Sequence, residues 1–203
     1  MPIGTERRLG MDIAIMPERE REQLLLDVFQ YIQQKGGFLP ASVYWERLLT
    51  FPTVYHESVE MAPSDDGKGW EVLMDHRPVD DPYYANQYGT QGGTVMMRTT
   101  AEELFERHGR KESGIAVSSP SEFRFCGLAV TPKTKRDHAY VVVFARLLSC
   151  KPVTAGEYRG VWMPVDRFDQ FPLIPSNRVY VEMARDVMLN GALPHYREFL
   201  GTD

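Results

Sequence analysis

The stretch that decides the fold reads Gly92-Gly93-Thr94-Val95-Met96-Met97-Arg98-Thr99-Thr100-Ala101-Glu102-Glu103-Leu104-Phe105-Glu106-Arg107-His108-Gly109-Arg110-Lys111-Glu112-Ser113-Gly114-Ile115. A glycine pair begins it, and a charged segment with helical character follows a short connector. Gly109 lies within that segment and weakens a helix by roughly 1 kcal/mol relative to alanine. The pattern therefore predicts a loop, a helix and a second loop. If the helix ended at Gly109, His108 and Glu112 would no longer lie on the same helix face.

This loop-helix-loop resembles the box of the Nudix family, written G-x5-E-x7-R-E-U-x-E-E-x-G-U, with U a bulky apolar residue. With Gly93 on the first glycine and no gap, the agreeing positions are Gly93, Arg107, Glu112, Gly114 and Ile115. The departures are Thr99, His108 and Lys111, which replace glutamates, and Gly109, which replaces the apolar residue. The resemblance therefore implies that the frame of the box is present while most of its acids are replaced.

The segments around the box follow the order that the resemblance implies. The predicted elements after the N-terminal region are a hairpin of strands 54–61 and 70–75 around the turn 65–69, strands 123–130, 140–145 and 158–163, and a helix 177–189. Strand 140–145 is apolar on both faces, which is typical of a central strand. The last dozen residues are compatible with a short helix or a tail. The resemblance covers about residues 53–190. It implies an α/β fold, a Nudix-like α/β/α sandwich with a mixed sheet.

Residues 1–52 are predicted to form an N-terminal helical extension, and residues 53–203 the Nudix-like domain. The first helix, from Pro17 to Lys35, is amphipathic because its apolar residues recur at helical spacing before Gly36-Gly37. A second short helix is predicted over Ser42–Leu49. The apolar face of the first helix would either pack on the main domain or form a dimer contact.

Composition narrows the class of protein. The chain has 203 residues, 43% of them hydrophobic, and a formal net charge of −5. An acidic balance argues against a nucleic-acid partner. No run approaches the roughly 18 apolar residues of a membrane span, and no signal-peptide pattern is present. We therefore expect a cytoplasmic protein without a membrane partner, in which Cys126 and Cys150 are buried free thiols.

The resemblance implies a reaction, the hydrolysis of a nucleoside diphosphate linked to another group. In the family, glutamates of the box hold Mg²⁺ or Mn²⁺, which neutralises the diphosphate and activates water. In this chain, the positions of two box glutamates that lie four residues apart are occupied by His108 and Glu112. These two side chains are poor ligands for Mg²⁺ but could form part of a site for Mn²⁺ or a softer ion. We predict Glu112 and His108 as candidate metal ligands. Glu112 and Glu106 are the candidate catalytic residues, because Glu106 could belong to a displaced carboxylate pair.

The remaining candidates concern the ligand. Lys111 would disfavour a metal beside Glu112 and would favour a phosphate, as would Arg107. The candidate substrate-binding residues are Arg77, Tyr88, Gly93, Arg107 and Lys111.

Three functions remain open. The first is a binder of a nucleoside-diphosphate-type small molecule with weak or no hydrolysis. The second is an active metal-dependent pyrophosphohydrolase, and the third is a protein-interaction scaffold. The resemblance also allows a homodimer, since relatives are often dimers.

Overall fold

The computed structural model describes residues 17–20, 23, 27, 53–95, 100–131, 139–153, 160–167 and 170–199. The chain divides into two compact units, Met1–Trp45 and Glu46–Asp203. Most of the predicted helix Pro17–Lys35 and the whole of Ser42–Leu49 lie outside the described residues. The domain boundary after residue 52 therefore stays a prediction, and the second unit is the one described below.

One mixed sheet organises the second unit. Its strands are β1 (Thr53–Pro63), β2 (Trp70–His76), β3 (Tyr88–Gly89), β4 (Gln91–Thr94), β5 (Arg124–Thr131), β6 (Ala139–Leu147), β7 (Gly160–Pro164) and β8 (His195–Glu198). The strand order is β3-β2-β1-β6-β5-β8, with β4 also paired to β1 and β7 to β2. The pairs β1–β6 and β5–β8 are parallel, and the others are antiparallel. The predicted hairpin is β1–β2, and the predicted central strand is β6, which lies between β1 and β5.

Two helices cover opposite faces of this sheet. Helix α1 (Ala101–His108) begins with a capping box in which the Thr100 hydroxyl accepts from the Glu103 N–H and the Glu103 carboxylate accepts from the Thr100 N–H. Its Phe105 packs edge-on against Phe144. Helix α2 (Pro175–Met188) buries Tyr180, Val181, Met183, Ala184 and Val187. The prediction of an α/β/α sandwich is confirmed.

Two features differ from the sequence predictions. The chain's last segment forms strand β8 rather than a helix or a tail, because β8 pairs in parallel with β5. Gly127, at φ +143°, permits that pairing, since a β-carbon there would overlap the carbonyl oxygen of His195. Both cysteines are free, but only Cys126 is buried, and Cys150 is exposed. Within the described ranges, no helix has the length and hydrophobicity that crossing a bilayer requires.

Candidate functional site

A cleft of about 180 Å³ opens between β1, β2, the glycine pair, the end of the box and the start of α2. The charged side chains that line it are Glu57, Asp75, Arg77 and Glu112. Ligand pockets for drug-sized molecules usually measure roughly 300–1,000 Å³. The cleft is therefore large enough to enclose one end of a ligand, while the rest would lie outside it.

The glycine pair allows strand β4 to lie close to the backbone of β1 and to the side chain of His108 beside the cleft. Strand β4 pairs with β1, with Gly93 opposite His56 and Gly92 opposite Glu57. A β-carbon on Gly92 would overlap the His56 carbonyl oxygen, and one on Gly93 would lie 2.8 Å from Cε1 of His108. Position 92 requires a residue without a side chain, whereas a side chain at position 93 would require the His108 ring to shift. In this chain Gly93 therefore makes room for the His108 ring.

The box helix ends where Gly109 predicts, but its last turn continues as a π-helix over Gly109–Ser113. Gly114 closes the turn at φ +74°, a left-handed conformation that glycine adopts without steric cost. The wider turn still brings Glu112 to His108, and Nδ1 of His108 lies 2.6 Å from Oε1 of Glu112. The early helix end therefore does not separate the two side chains.

His108 is held from both sides. Nη2 of Arg107 lies 2.9 Å from its Nε2. Because a guanidinium only donates, the hydrogen-bond network assigns Nε2 as an acceptor and places the ring proton on Nδ1, from which it is donated to Glu112. His108 is buried, at 6% exposure. His108, which replaces a box glutamate, thus connects two of the box residues that agree with the family, Arg107 and Glu112.

A second histidine lies beneath this group. The His56 ring centroid is 4.7 Å from that of His108, and its ring packs edge-on against Phe105. Burial, followed by the proximity of His108 and Arg107, lowers the pKa of His56 to about 3, and a contact with the Gly93 backbone only partly opposes the shift. His56 is therefore a neutral ring at neutral pH.

Sequence reasoning missed two carboxylates of the cleft. Glu57 on β1 accepts a hydrogen bond from the Thr90 hydroxyl at 2.6 Å. Asp75 on β2 is 3% exposed, and the buried side chain of Gln91 on β4 donates a hydrogen bond to its carboxyl group, which together with the charge of Arg77 only partly opposes the rise of its pKa. Burial, then the nearby carboxylates of Glu112 and Glu60, raise the pKa of Asp75 to about 7. The available signal for Asp75 was an acid directly after the apolar run Val72–Met74 of strand β2.

Two positive features face the same cleft. Nε and Nη2 of Arg77 donate to Oδ2 of Asp81 at 3.0 and 2.7 Å. Helix α2 begins at Pro175, and residues Ile174, Ser176 and Asn177 line the cleft, so the positive end of the helix dipole lies beside it. The side chain of Asn177, in the first turn, accepts from the Thr90 N–H at 2.9 Å.

The other predicted residues lie elsewhere. The Tyr88 ring packs on His76 at 4.7 Å between centroids, and Tyr88 is not among the cleft-lining residues. Glu106 forms an ion pair with Arg110 at 2.7 Å on the solvent side of α1. The side chain of Lys111 lies outside the described part of the structure. Of the predicted residues, the structure brings together Arg77, Gly93 and Glu112 at the cleft, with His108 and Arg107 beside them.

The donor atoms do not fit a resident Mg²⁺ or Mn²⁺ ion. Among the described residues, no group of three or more His, Cys, Asp or Glu side chains is arranged to hold a metal. Glu112 Oε1 and both nitrogens of His108 already take part in hydrogen bonds. Magnesium demands near-ideal octahedral oxygen coordination. Binding there would require these hydrogen bonds to break.

Comparison with known proteins identifies the fold. No protein-family model matches the chain, and no curated protein matches it. The NUDIX domain of Shewanella oneidensis NrtR, solved with ADP ribose, matches 74% of this chain and 99% of its own, with 14% identity and a TM-score of 0.56. RenU, a Nudix hydrolase from M. smegmatis, matches 70% and 89%, with 16% identity and a TM-score of 0.54. The C-terminal domain of mouse MUTYH, solved with human PCNA, matches 71% and 94%, with 16% identity and a TM-score of 0.54.

Proposed function

We propose, from the Nudix-like fold of the chain, that it binds a nucleoside-diphosphate-type ligand in the cleft with weak or no hydrolysis. One domain of the same fold was solved with ADP ribose, a nucleoside diphosphate attached to a sugar. The cleft lies against the box residues Gly93 and Glu112. The observation that carries the proposal is the hydrogen bond between His108 and Glu112.

This hydrogen bond is the reason to expect weak or no hydrolysis. The resemblance implies two carboxylates four residues apart that hold a metal ion with oxygen atoms. Here an imidazole replaces one of them and donates its proton to the other. Because the second nitrogen of His108 accepts from Arg107, neither nitrogen is available to an ion or to an attacking water. In this arrangement His108 and Glu112 do not provide the pair of ligands for a metal ion that would neutralise the diphosphate charge and activate water.

Diphosphate binding without a metal has two supports. The start of α2 lies at the cleft, and the positive end of a helix dipole favours an anion there, although Pro175 has no backbone N–H and the Asn177 N–H donates to the Ile174 carbonyl. Arg77 adds a guanidinium, and arginine forms paired hydrogen bonds with phosphate oxygens. Asp81 orients that guanidinium and accepts N–H bonds from Tyr83 and Tyr84. The Tyr84 ring supplies an aromatic surface at the cleft.

A second candidate function is metal-dependent hydrolysis. Glu57, Asp75 and Glu112 come from three different segments and line the same cleft. A ligand that brings its own Mg²⁺ or Mn²⁺ would meet carboxylate oxygens there, so the family reaction would use acids from outside the box.

One experiment separates the two candidates. ADP-ribose is titrated into the protein by calorimetry in EDTA and then with Mg²⁺ or Mn²⁺, while ³¹P NMR follows cleavage of the diphosphate. We expect binding in EDTA and no turnover that exceeds the protein-free control. Turnover that requires a metal would instead establish the second candidate. If binding and turnover are both absent, both candidates fail and the interaction scaffold remains.

A pair of variants tests the assigned site. We expect Arg77→Ala to weaken ADP-ribose binding about tenfold, which equals about 1.4 kcal/mol. Arg124→Ala is the matched control, since Arg124 is exposed on β5 and does not line the cleft. Equal losses in the two variants would show that the effect of Arg77 is not local.

A further inference from the structure

The first turn of helix α2 carries two buried polar side chains at the cleft. Ser176 is 5% exposed and Asn177 is 6% exposed, and both residues line the cleft. Polar side chains that are buried to this extent normally have hydrogen-bond partners in the protein, in water or in a ligand. The partners of Asn177 therefore indicate what the cleft binds.

The side-chain amide of Asn177 has a fixed orientation. Its Oδ1 accepts from the Thr90 N–H at 2.9 Å. Because a backbone N–H only donates, this bond assigns the oxygen of the amide and, with it, the position of the NH₂ group. Gly89 permits the contact, since a β-carbon there would lie 2.7 Å from this oxygen. The Ile174 N–H also donates to the Tyr88 carbonyl at 2.8 Å, which holds the two segments together.

The NH₂ group of Asn177 is a donor at the cleft. A primary amide nitrogen carries two N–H groups. No residue in the described part of the chain accepts a hydrogen bond from this Nδ2. Nδ2 is not one of the fully enclosed polar atoms that lack a partner, so it is open to the cleft that Asn177 lines. The chain thus presents an oriented donor to an acceptor atom of a ligand.

The position of this donor on the helix favours an anionic acceptor. Asn177 is the third residue of α2, where the positive end of the helix dipole favours negative charge. The backbone supplies few donors there, because Pro175 has no N–H and the Asn177 N–H donates to the Ile174 carbonyl. The side chains supply them instead, since the Ser176 hydroxyl lies one residue earlier at the same cleft. Serine and asparagine side chains commonly donate to phosphate oxygens.

We propose that Nδ2 of Asn177 donates to a phosphate oxygen of the ligand, with the Ser176 hydroxyl as a second donor. This inference rests on the proposed function and deepens it, because it places one phosphate of the nucleoside diphosphate at the start of α2. Asn177 is then a ligand-binding residue, and Thr90 and Gly89 position its amide.

The NH₂ resonances of Asn177 give a direct test. The ¹⁵N-labelled full chain is titrated in EDTA with pyrophosphate and, separately, with adenosine, which represent the phosphate part and the neutral part of the ligand. We expect pyrophosphate to shift these resonances until saturation and adenosine to leave them in place. The NH₂ pair of Asn190 is the reference, since Asn190 is exposed just beyond the other end of α2.

Three outcomes of this titration would overturn the proposal. They are no shift at Asn177 with pyrophosphate, an equal shift at Asn177 and Asn190, and a shift with adenosine as large as that with pyrophosphate.

A matched pair of variants tests the same residue by affinity. Asn177→Asp removes the NH₂ group but keeps an oxygen that accepts from Thr90, so urea unfolding should show nearly unchanged stability. We expect it to bind ADP-ribose at least tenfold more weakly. Asn190→Asp adds the same charge outside the cleft and should bind ADP-ribose as the unaltered chain does. Equal affinities in all three proteins would overturn the assignment. The titration of the unaltered chain stands even if a variant fails to fold.

The two ligands together separate this inference from the proposed function. If ADP-ribose binds the unaltered chain and Asn177→Asp equally well, the phosphate site is wrong and the proposed function stands. If pyrophosphate binds at Asn177 and ADP-ribose does not bind, the phosphate site stands and the proposed function fails. If neither ligand binds, both fail.

Discussion

Replacing Asp75 by asparagine should stabilise the protein at neutral and alkaline pH. The folded chain raises the pKa of this carboxyl from 3.8 to about 7, chiefly because the side chain is buried. The folded state therefore holds a proton that the unfolded state has released between about pH 4 and pH 7. In this window the free energy of unfolding falls as the pH rises. The full rise in pKa corresponds to about 4 kcal/mol, at 1.36 kcal/mol for each pH unit.

Asparagine has the shape of the acid but does not titrate, so the variant should not lose this stability. We expect the free energy of unfolding of Asp75→Asn, minus that of the unaltered chain, to increase by about 4 kcal/mol between pH 4 and pH 7.5. Urea unfolding monitored by circular dichroism at several pH values measures this difference. Subtraction also removes the opposite contribution of His56, which titrates in an overlapping range in both proteins.

Asp166→Asn provides the control, because the Asp166 side chain is 83% exposed. Its difference from the unaltered chain should stay nearly constant across the same pH values. If the difference in free energy of unfolding between Asp75→Asn and the unaltered chain is equally independent of pH, the pKa of Asp75 is not raised by burial. If the difference falls with pH, ionised Asp75 is stabilised in the folded state, and the reasoning about its burial and its like-charged neighbours is refuted.

Three further changes give independent tests, each read by urea unfolding. Folding lowers the pKa of His56 from 6.5 to about 3, so the free energy of unfolding should fall by up to about 5 kcal/mol as the pH drops through this range. His56→Leu should remove this pH dependence. If the dependence survives in the variant, His56 is not its cause. Arg146→Met should lower the free energy of unfolding by about 3–5 kcal/mol, because buried Glu60 loses the partner that donates to it at 2.6 and 3.0 Å. Arg124→Met, at an exposed position, should change this free energy little. Equal losses in the two variants would contradict a stabilising role of the buried pair. Gly92→Ala should lower the free energy of unfolding by about 1–3 kcal/mol, since its β-carbon would overlap the His56 carbonyl oxygen. An unchanged urea midpoint would show that β4 shifts to accommodate the methyl group.

The box could be found from the sequence because its geometry depends on residues close together in the chain. The steric need for glycine at position 93 is one part of that frame. The end of the helix at Gly109 is another, and it follows from local backbone preferences. The consequence drawn from Gly109 did not hold, because a π-helical turn brings Glu112 back to His108. Such turns have no reliable sequence signal.

The acids of the cleft could not be identified in the same way. Glu57 and Asp75 lie on different strands, and each has the spacing of an ordinary strand residue. Their meeting point exists only because β4 occupies one half of β1 and β2 the other half. The buried pair of Arg146 and Glu60 has the same origin, since their parallel register on β6 and β1 links residues far apart in the chain.

The sequence by itself determined the order of the elements, the central strand β6 and the glycine frame of the box, because periodicity and backbone sterics act over a few residues. Only the tertiary structure decided which charges face the cleft, that His108 is bonded to Glu112, and that β8 extends the sheet. Those outcomes depend on strand register and burial, which bring distant residues together and alter their ionisation. The chemistry of the cleft therefore depends on contacts between segments rather than on the motif that first identified the fold.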